Sequence, residues 1–283
     1  MQVRPLSSLS LVKPDRPCCR HTPMQVDKEL ARRRFSRAAR NYNQWSKPQE
    51  HMAERLMAFM SGSGAASILE IGCGTGILTE WLARTYPDAT IVAIDNAPGM
   101  IEECRRKWHD EPRMEFLLKD AEDMRLDRSF DLIVSSACFQ WVGDLTKTLR
   151  GCRKVLAPDG LLAFAAPADG TLCELKSSYS AAAPHKTPGH ALPDSRDYYT
   201  ATLAAGLLIQ KATTDSQVFE FSGAEQALDF VRGIGAAKAI VGNPGGLNRT
   251  QVRALMEHYE SQFAGKDGGV TCTYVTTYLK ARP

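Results

Sequence analysis

From position 67 onward the chain alternates short apolar runs with stretches whose apolar residues recur every three or four positions. The apolar runs predict buried strands at Ser67–Ile71, Thr90–Ile94, Met114–Leu118, Asp131–Ser135 and Leu161–Ala165. The periodic stretches predict helices at Ile77–Thr85, Pro98–Trp108 and Leu145–Leu156, the last stopped by the turn Ala157-Pro-Asp-Gly160. Strand and helix taking turns in this way is the signature of a parallel sheet wrapped by helices. Further on the pattern predicts a helix at Ser195–Ala205, a strand at Val218–Phe221 and a final alternating strand at Val270–Leu279. Two helices intervene between those strands. One spans Ala224–Arg232, and the other is capped by Asn248 and carries Val252, Leu255, Met256, Tyr259 and Phe263 on one stripe. This insertion, about residues 223–267, predicts a helical lid over one end of the sheet.

Ahead of the sheet, Phe35, Ala38, Ala39 and Tyr42 share one face of a predicted helix over Asp27–Tyr42, while Arg33, Arg37 and Arg40 line another. A second helix, Pro48–Met60, runs into the small-residue turn Ser61-Gly-Ser-Gly-Ala-Ala66. Residues 1–26 are expected to form a disordered extension, because positions 1–23 hold four prolines and no apolar stripe. The same prolines argue against an amphipathic targeting helix, and Met24 reads as a second start.

Composition adds little to the class and something to the site. At 283 residues with 43% hydrophobic content the chain can bury a substantial core, and its longest apolar runs fall well short of a membrane span, so a cytoplasmic protein is expected. The eight cysteines form no C-x-x-C pair, which suits reduced, buried thiols rather than disulfides or zinc; no metal site is expected. Residues 1–55 carry a balance of +7 against +3 for the whole chain, leaving −4 for the remainder. Any anion-binding face is therefore expected to involve the N-terminal segment.

Ile68-Leu-Glu-Ile-Gly-Cys-Gly-Thr-Gly76 is an apolar strand entering a glycine-rich turn and then a helix. Gly72, Gly74 and Gly76 let the backbone approach a ligand, and the helix start offers free N–H groups. The G-x-G-x-G spacing, preceded by Glu70, departs from the G-x-G-x-x-G of dinucleotide-binding turns. The second strand ends in Ala93-Ile-Asp95, 19 residues past the last glycine, where a carboxylate can accept both ribose hydroxyls of an adenosine. The third runs into Asp120-Ala-Glu122, where a carboxylate can accept the adenine amino group, and Glu70 stands where it can hold a cationic amino acid moiety. These acids at successive strand ends describe a pocket for adenosine bearing an aminocarboxypropyl tail.

That combination resembles the class I S-adenosylmethionine-dependent methyltransferases and, within them, the malonyl-acyl-carrier-protein O-methyltransferases of biotin synthesis. The narrower elements are Phe35-Ser-Arg-Ala-Ala-Arg-Asn-Tyr42, Phe139-Gln-Trp141 with Asp144-Leu145, Gly170-Thr-Leu172, Arg232-Gly-Ile-Gly-Ala236, Leu247-Asn-Arg-Thr-Gln251 and Thr273-Tyr274. The resemblance covers residues 27–283 as one methyltransferase domain. It implies an α/β, Rossmann-like seven-stranded sheet, mostly parallel with the last strand antiparallel, and S-adenosyl-L-methionine as cofactor. It also implies cofactor contacts at Glu70, Gly72, Cys73, Gly74, Gly76, Asp95, Asn96, Met100, Asp120, Ala121, Glu122 and Ser135, with Cys73 packing rather than reacting.

The implied reaction is methylation of the free carboxylate of a malonyl thioester on acyl carrier protein, with malonyl-coenzyme A as the other carrier left open. Tyr42, Gln140, Trp141, Arg232 and Tyr274 are the candidate catalytic and substrate contacts, with Arg232 on the lid as partner for the malonyl carboxylate. The stripe Arg33, Arg37, Arg40 is a candidate face for an acidic carrier protein. The rival readings are a methyltransferase for another small acid or a quinone precursor, a cofactor-binding module without transfer activity, and a nucleic-acid binder using the basic N-terminus. The last lacks aromatic residues interleaved with its arginines, so neither nucleic acid nor membrane is expected as a partner.

Overall fold

The computed structural model describes residues 27–186, 191–234, 246–265 and 268–283, so the extension expected at 1–26 lies outside the described residues. Its strands are β1 (Ser67–Ile71), β2 (Thr90–Asp95), β3 (Met114–Leu118), β4 (Phe130–Ser136), β5 (Leu156–Pro167), β6 (Leu208–Phe221) and β7 (Val270–Arg282). They form one sheet in the order β3-β2-β1-β4-β5-β7-β6. β1 to β5 run parallel, and β7 is antiparallel to both β5 and β6. The seven-stranded, mostly parallel sheet expected from the sequence is the one observed.

The described helices are α1 (Lys28–Ala38), α2 (Lys47–Phe59), α3 (Ile77–Thr85), α4 (Pro98–Lys107), α5 (Leu145–Val155), α6 (Cys173–Ala182), α7 (Ser195–Ala204), α8 (Ala224–Gly233) and α9 (Arg249–Gln262). Because side chains alternate across a strand, each parallel strand feeds two cores. Ile68, Ile91 and Leu132 pack with α2, α3, α6, α8 and α9 on one face. Leu69, Val92 and Ile133 pack with α5 and α7 on the other.

Three departures from the sequence pattern are observed, two of them with long-range causes. The predicted helix over Asp27–Tyr42 ends at Ala38, and the chain tightens into a 3₁₀ turn over Ala39–Gln44. β6 begins at Leu208 rather than Val218, since its first half is polar and reads as loop; pairing with β7, from Leu208 with Arg282 to Phe221 with Val270, makes it strand. α6 was not anticipated because its sequence, CELKSSYSAA, offers few apolar positions. Tertiary contacts hold it: the buried Glu174 carboxylate accepts the Thr273 N–H (3.0 Å) and hydroxyl.

α2 lies where the sheet core and the N-terminal segment meet, with Met52, Ala53 and Leu56 buried on its inner face. Leu56→Ala should cost about 2–5 kcal/mol of stability through the cavity it leaves. Arg55→Ala, which removes the exposed pair with Asp215, should cost no more than about 1 kcal/mol. Urea unfolding of the two variants measures the contrast.

Candidate active site

The strands deliver their functional residues to one end of the sheet, around the point where the order reverses between β1 and β4. In open α/β sheets this switch point is where ligands bind. A cleft there encloses about 990 Å³, including solvent at its mouth, and is lined by the turn after β1, the ends of β2, β3 and β4, and the helical segment ahead of the sheet.

The glycine turn is held from below and open above. Gly72 and Gly74 have φ of +73° and +56°, in the left-handed region that favours glycine. A Cβ on Gly72 would overlap the Cys138 side chain, whereas one on Gly74 would meet open space. The Gly72 and Cys73 N–H groups donate to the Ile94 carbonyl (2.8 and 3.0 Å), tying the turn to β2. Asp95 accepts the N–H of Gly74 (3.0 Å) on one oxygen and that of Ala97 (2.8 Å) on the other. Its carboxylate therefore shapes the turn as well as facing the cleft. Burial pushes the Asp95 carboxyl above its ordinary value, against the backbone N–H groups that favour the ion.

Glu70 is 1% exposed, and its hydrogen-bonded neighbour is the Thr79 hydroxyl at 2.6 Å. Burial pushes its carboxyl up to about 8, with the nearby Asp95 charge adding to the effect. A buried acid beside a second acid, partnered by a neutral hydroxyl, is a site waiting for a cation. At the far end Asp120 accepts the Glu122 N–H (2.9 Å) and pairs with Lys28 (2.8 Å). Burial pushes the Asp120 carboxyl up, but the Glu122 N–H and the Lys28 ammonium outweigh it and hold it low.

Of the residues the sequence pointed to for the cofactor, Glu70, Gly72, Cys73, Gly74, Asp95, Asn96, Met100, Asp120 and Ala121 line this cleft. Three others are engaged elsewhere. Gly76 stands behind the turn, its α-carbon facing the Trp108 ring. Glu122 bridges Lys28 and the Asp144 N–H (2.9 Å), and the Ser135 hydroxyl donates to the Ile71 carbonyl (2.9 Å). The neighbouring Ser136 lines the cleft instead, with a buried hydroxyl that has no hydrogen-bond partner. Strand alternation makes adjacent serines face opposite ways, and the apolar run does not say which one looks outward.

Among the candidate substrate contacts, Tyr42 and Trp141 line the cleft. Tyr274 lies beside the Gln49 amide and close to Tyr42, and burial raises its phenol well above the ordinary value. Gln140 is turned away: its Nε2 donates to the Ala137 carbonyl (2.8 Å), bracing a residue held at φ +56°. Arg232 is likewise outside the cleft, exposed on α8 and paired with Asp229 at 2.8 Å. Sequence reasoning missed Gln49, a nine-tenths-buried lining residue whose Oε1 has no partner, and Lys28. The N-terminal segment proves part of the site. Thr75 donates to Asn43 (2.6 Å), the Gly99 N–H donates to Ser36 Oγ (2.9 Å), and Phe35 meets the Trp141 ring edge-on at 5.3 Å.

Comparison with known proteins places the chain in a family. A methyltransferase domain model matches residues 68–160, the strands and turns that carry the acids. A protein of Geobacter sulfurreducens named malonyl-acyl-carrier-protein O-methyltransferase is 34% identical over 89% of this chain and 98% of its own length. One of the same name from Acetivibrio thermocellus is 32% identical over 91% and 94%. The chain belongs to the malonyl-acyl-carrier-protein O-methyltransferase family. Its cofactor is S-adenosylmethionine, and the cleft fits that molecule: the buried acid Glu70 suits an ammonium, Asp95 a diol, and Gly74 leaves room for backbone contact. Solved structures add the fold alone. YcgJ of Bacillus subtilis superposes with a TM-score of 0.58 at 14% identity, covering 82% of this chain and 97% of its own. The [4+2]-cyclase SpnF superposes at 0.52 and 17%, covering 82% and 80%. A cyclase on the same scaffold shows why the fold does not name the reaction.

Two measurements test the cofactor end. In the free protein Glu70 keeps its proton up to about pH 8, and an ammonium favours the ionised form, so binding at neutral pH releases a proton. Affinity for S-adenosylmethionine should rise between about pH 6 and 7.5, by at most about tenfold per unit, and Glu70→Gln should bind more weakly with that rise removed. Calorimetry in buffers of different ionisation enthalpy reads the proton directly. Asp95→Ala should weaken binding by at least about 1.5 kcal/mol, roughly tenfold in Kd, because the ribose loses its charged acceptor.

Proposed function

We propose that this protein methylates the free carboxylate of a malonyl thioester carried by acyl carrier protein, in biotin synthesis. The observation that carries the reading is near-full-length similarity to relatives of that name, at 34% identity over 98% of one of them. The cleft supports it by extending past the cofactor acids into a chamber bounded by Phe35, Tyr42, Gln49, Ala53 and Trp141.

When bound, S-adenosylmethionine supplies an electrophilic methyl group on a sulfonium. The chain's residues have a short task. A malonyl carboxyl with an ordinary pKa of about 3–4 is already ionised at neutral pH, so no side chain needs to take a proton from it. What remains is to orient one carboxylate oxygen and exclude water. Trp141 and Phe35, in edge-on contact, wall the chamber, while Tyr42 and Tyr274 keep their phenol protons because burial raises both. They act as hydrogen-bond donors at every physiological pH.

The insertion between β6 and β7 is the proposed lid. α8 packs against the N-terminal segment, and a Cβ on Gly233 would overlap the Trp45 ring. Arg33, Arg37 and Arg40 are exposed on α1 and the turn after it, and we assign them to the acidic surface of the carrier protein. Among the described residues no helix is long and apolar enough to cross a membrane. The free thiols of the described cysteines suit the cytoplasmic location assigned here.

The test is to incubate the protein with labelled S-adenosylmethionine and malonyl-acyl carrier protein, malonyl-coenzyme A, succinyl thioesters or free acids, and to identify the product by mass. The expected product is the malonyl methyl ester, with acyl carrier protein preferred over coenzyme A. Strong preference for another acid would overturn the assignment. At saturating substrates the rate should stay nearly flat from about pH 6.5 to 8.5, because the nucleophile is ionised throughout and the phenols stay neutral.

A further inference from the structure

Gln49 is the third residue of α2 and lines the cleft from its N-terminal wall. Its side chain is nine-tenths buried, yet its Oε1 has no hydrogen-bond partner. Leaving a buried amide atom unmatched is destabilising, and α2 would pack with less penalty around an apolar residue of similar volume. The group is therefore placed for something absent from the free protein. An amide turned by 180° exchanges its oxygen and nitrogen in the same space, so Gln49 can offer an N–H to an acceptor as readily as a carbonyl to a donor.

Its surroundings say which. The Gln49 amide stands beside the Tyr274 hydroxyl, which is close to that of Tyr42, and Ser136 presents another buried, unpartnered hydroxyl to the same cleft. All four are neutral groups that can donate. Among the described residues the cations that line the cleft are Lys28, Arg32 and Lys119, from the segment and strand that frame Asp120. Lys28 is already paired with Asp120 and Glu122, and Arg32 with Glu29. Arg232 is turned outward onto Asp229. A cluster of neutral donors with no cation among them suits an anionic nucleophile that must be oriented without being neutralised. A guanidinium on the reacting oxygen would hold its electrons back and repel a sulfonium facing it.

We propose that Gln49 is the substrate-positioning residue of this enzyme, donating through its amide to the acceptor carboxylate alongside Tyr42 and Tyr274, so that uncharged donors rather than an arginine hold the nucleophile. This rests on the carboxylate-methylating function assigned above. It makes Gln49 the discriminator against electron-rich neutral acceptors, which would leave its N–H without a charged partner.

Gln49→Met keeps the volume and removes both polar atoms; Gln49→Glu keeps the shape and places a like charge against the substrate. With malonyl-acyl carrier protein, Gln49→Met should lower kcat/KM by about 10–100-fold, mostly through KM, and Gln49→Glu should lower it further. Binding of malonyl-acyl carrier protein to the S-adenosylhomocysteine complex should weaken in parallel. S-adenosylmethionine affinity by calorimetry should stay within about twofold and the melting temperature should not fall. Three results overturn the proposal: both variants keeping kcat/KM within about twofold, activity falling only in step with cofactor affinity or melting temperature, or Arg232→Ala reproducing the loss while Gln49→Met is silent. If the wild-type protein methylates a different carboxylic acid, the malonyl assignment fails, and the same variants assayed on that acid still decide whether Gln49 holds the carboxylate.

Discussion

Glu70, one residue before the end of β1, is a carboxylate 1% exposed, with the Thr79 hydroxyl as its hydrogen-bonded neighbour and Asp95 close by. Burying an acid without a cation is expensive, so the free protein keeps the group protonated well above the ordinary carboxyl range. The rest of the cleft is organised around that debt. Asp95 is spent partly on backbone, fixing the glycine turn through Gly74 and Ala97, and Asp120 is tied to Lys28. Glu70 alone of the three is left with neither an ammonium nor a pair of backbone N–H groups.

The segment ahead of the sheet is as much part of the site as the strands are. It reaches the glycine turn through Asn43, α4 through Ser36, the β4 end through Phe35 and Trp141, and the β3 end through Lys28. Each contact is modest alone, and together they place Tyr42 and Gln49 opposite the acids. Part of the N-terminal positive charge is used internally, with Lys28 on Asp120 and Glu122, and Arg32 and Arg33 on Glu29.

The site is divided by charge. The acids and cations, with Lys28 on Asp120 and Glu122, gather toward the ends of β2 and β3, while neutral donors and aromatic rings form the other end. A carboxylate nucleophile needs little more than orientation, so an enzyme acting on it can dispense with a general base. That division also explains the outward Arg232. Its guanidinium pairs with Asp229 on the same helix, outside the cleft.

The strands, the glycine turn and the acids at the strand ends were legible in the sequence because they are local. Periodicity marks each strand, glycine marks the turn, and Glu70, Asp95 and Asp120 sit at fixed offsets from both. What the sequence could not supply is which way a polar side chain faces once two local choices are equal. Ser135 and Ser136 are adjacent, and only the packing of β4 between β1 and β5 turns the second toward the cleft. Gln140 and Trp141 share a turn, and the strained Ala137 carbonyl claims the first. Lys28, 92 residues from Asp120, pairs with both Asp120 and Glu122, and the two differ because Glu122 also accepts the Asp144 N–H. Gln49 carried no sequence signal at all: a glutamine in an amphipathic helix is ordinarily solvated, and it became a buried amide with an unmatched oxygen only when α2 packed against the sheet. Local periodicity determined the scaffold and its acids, and long-range packing decided which polar groups were left without partners.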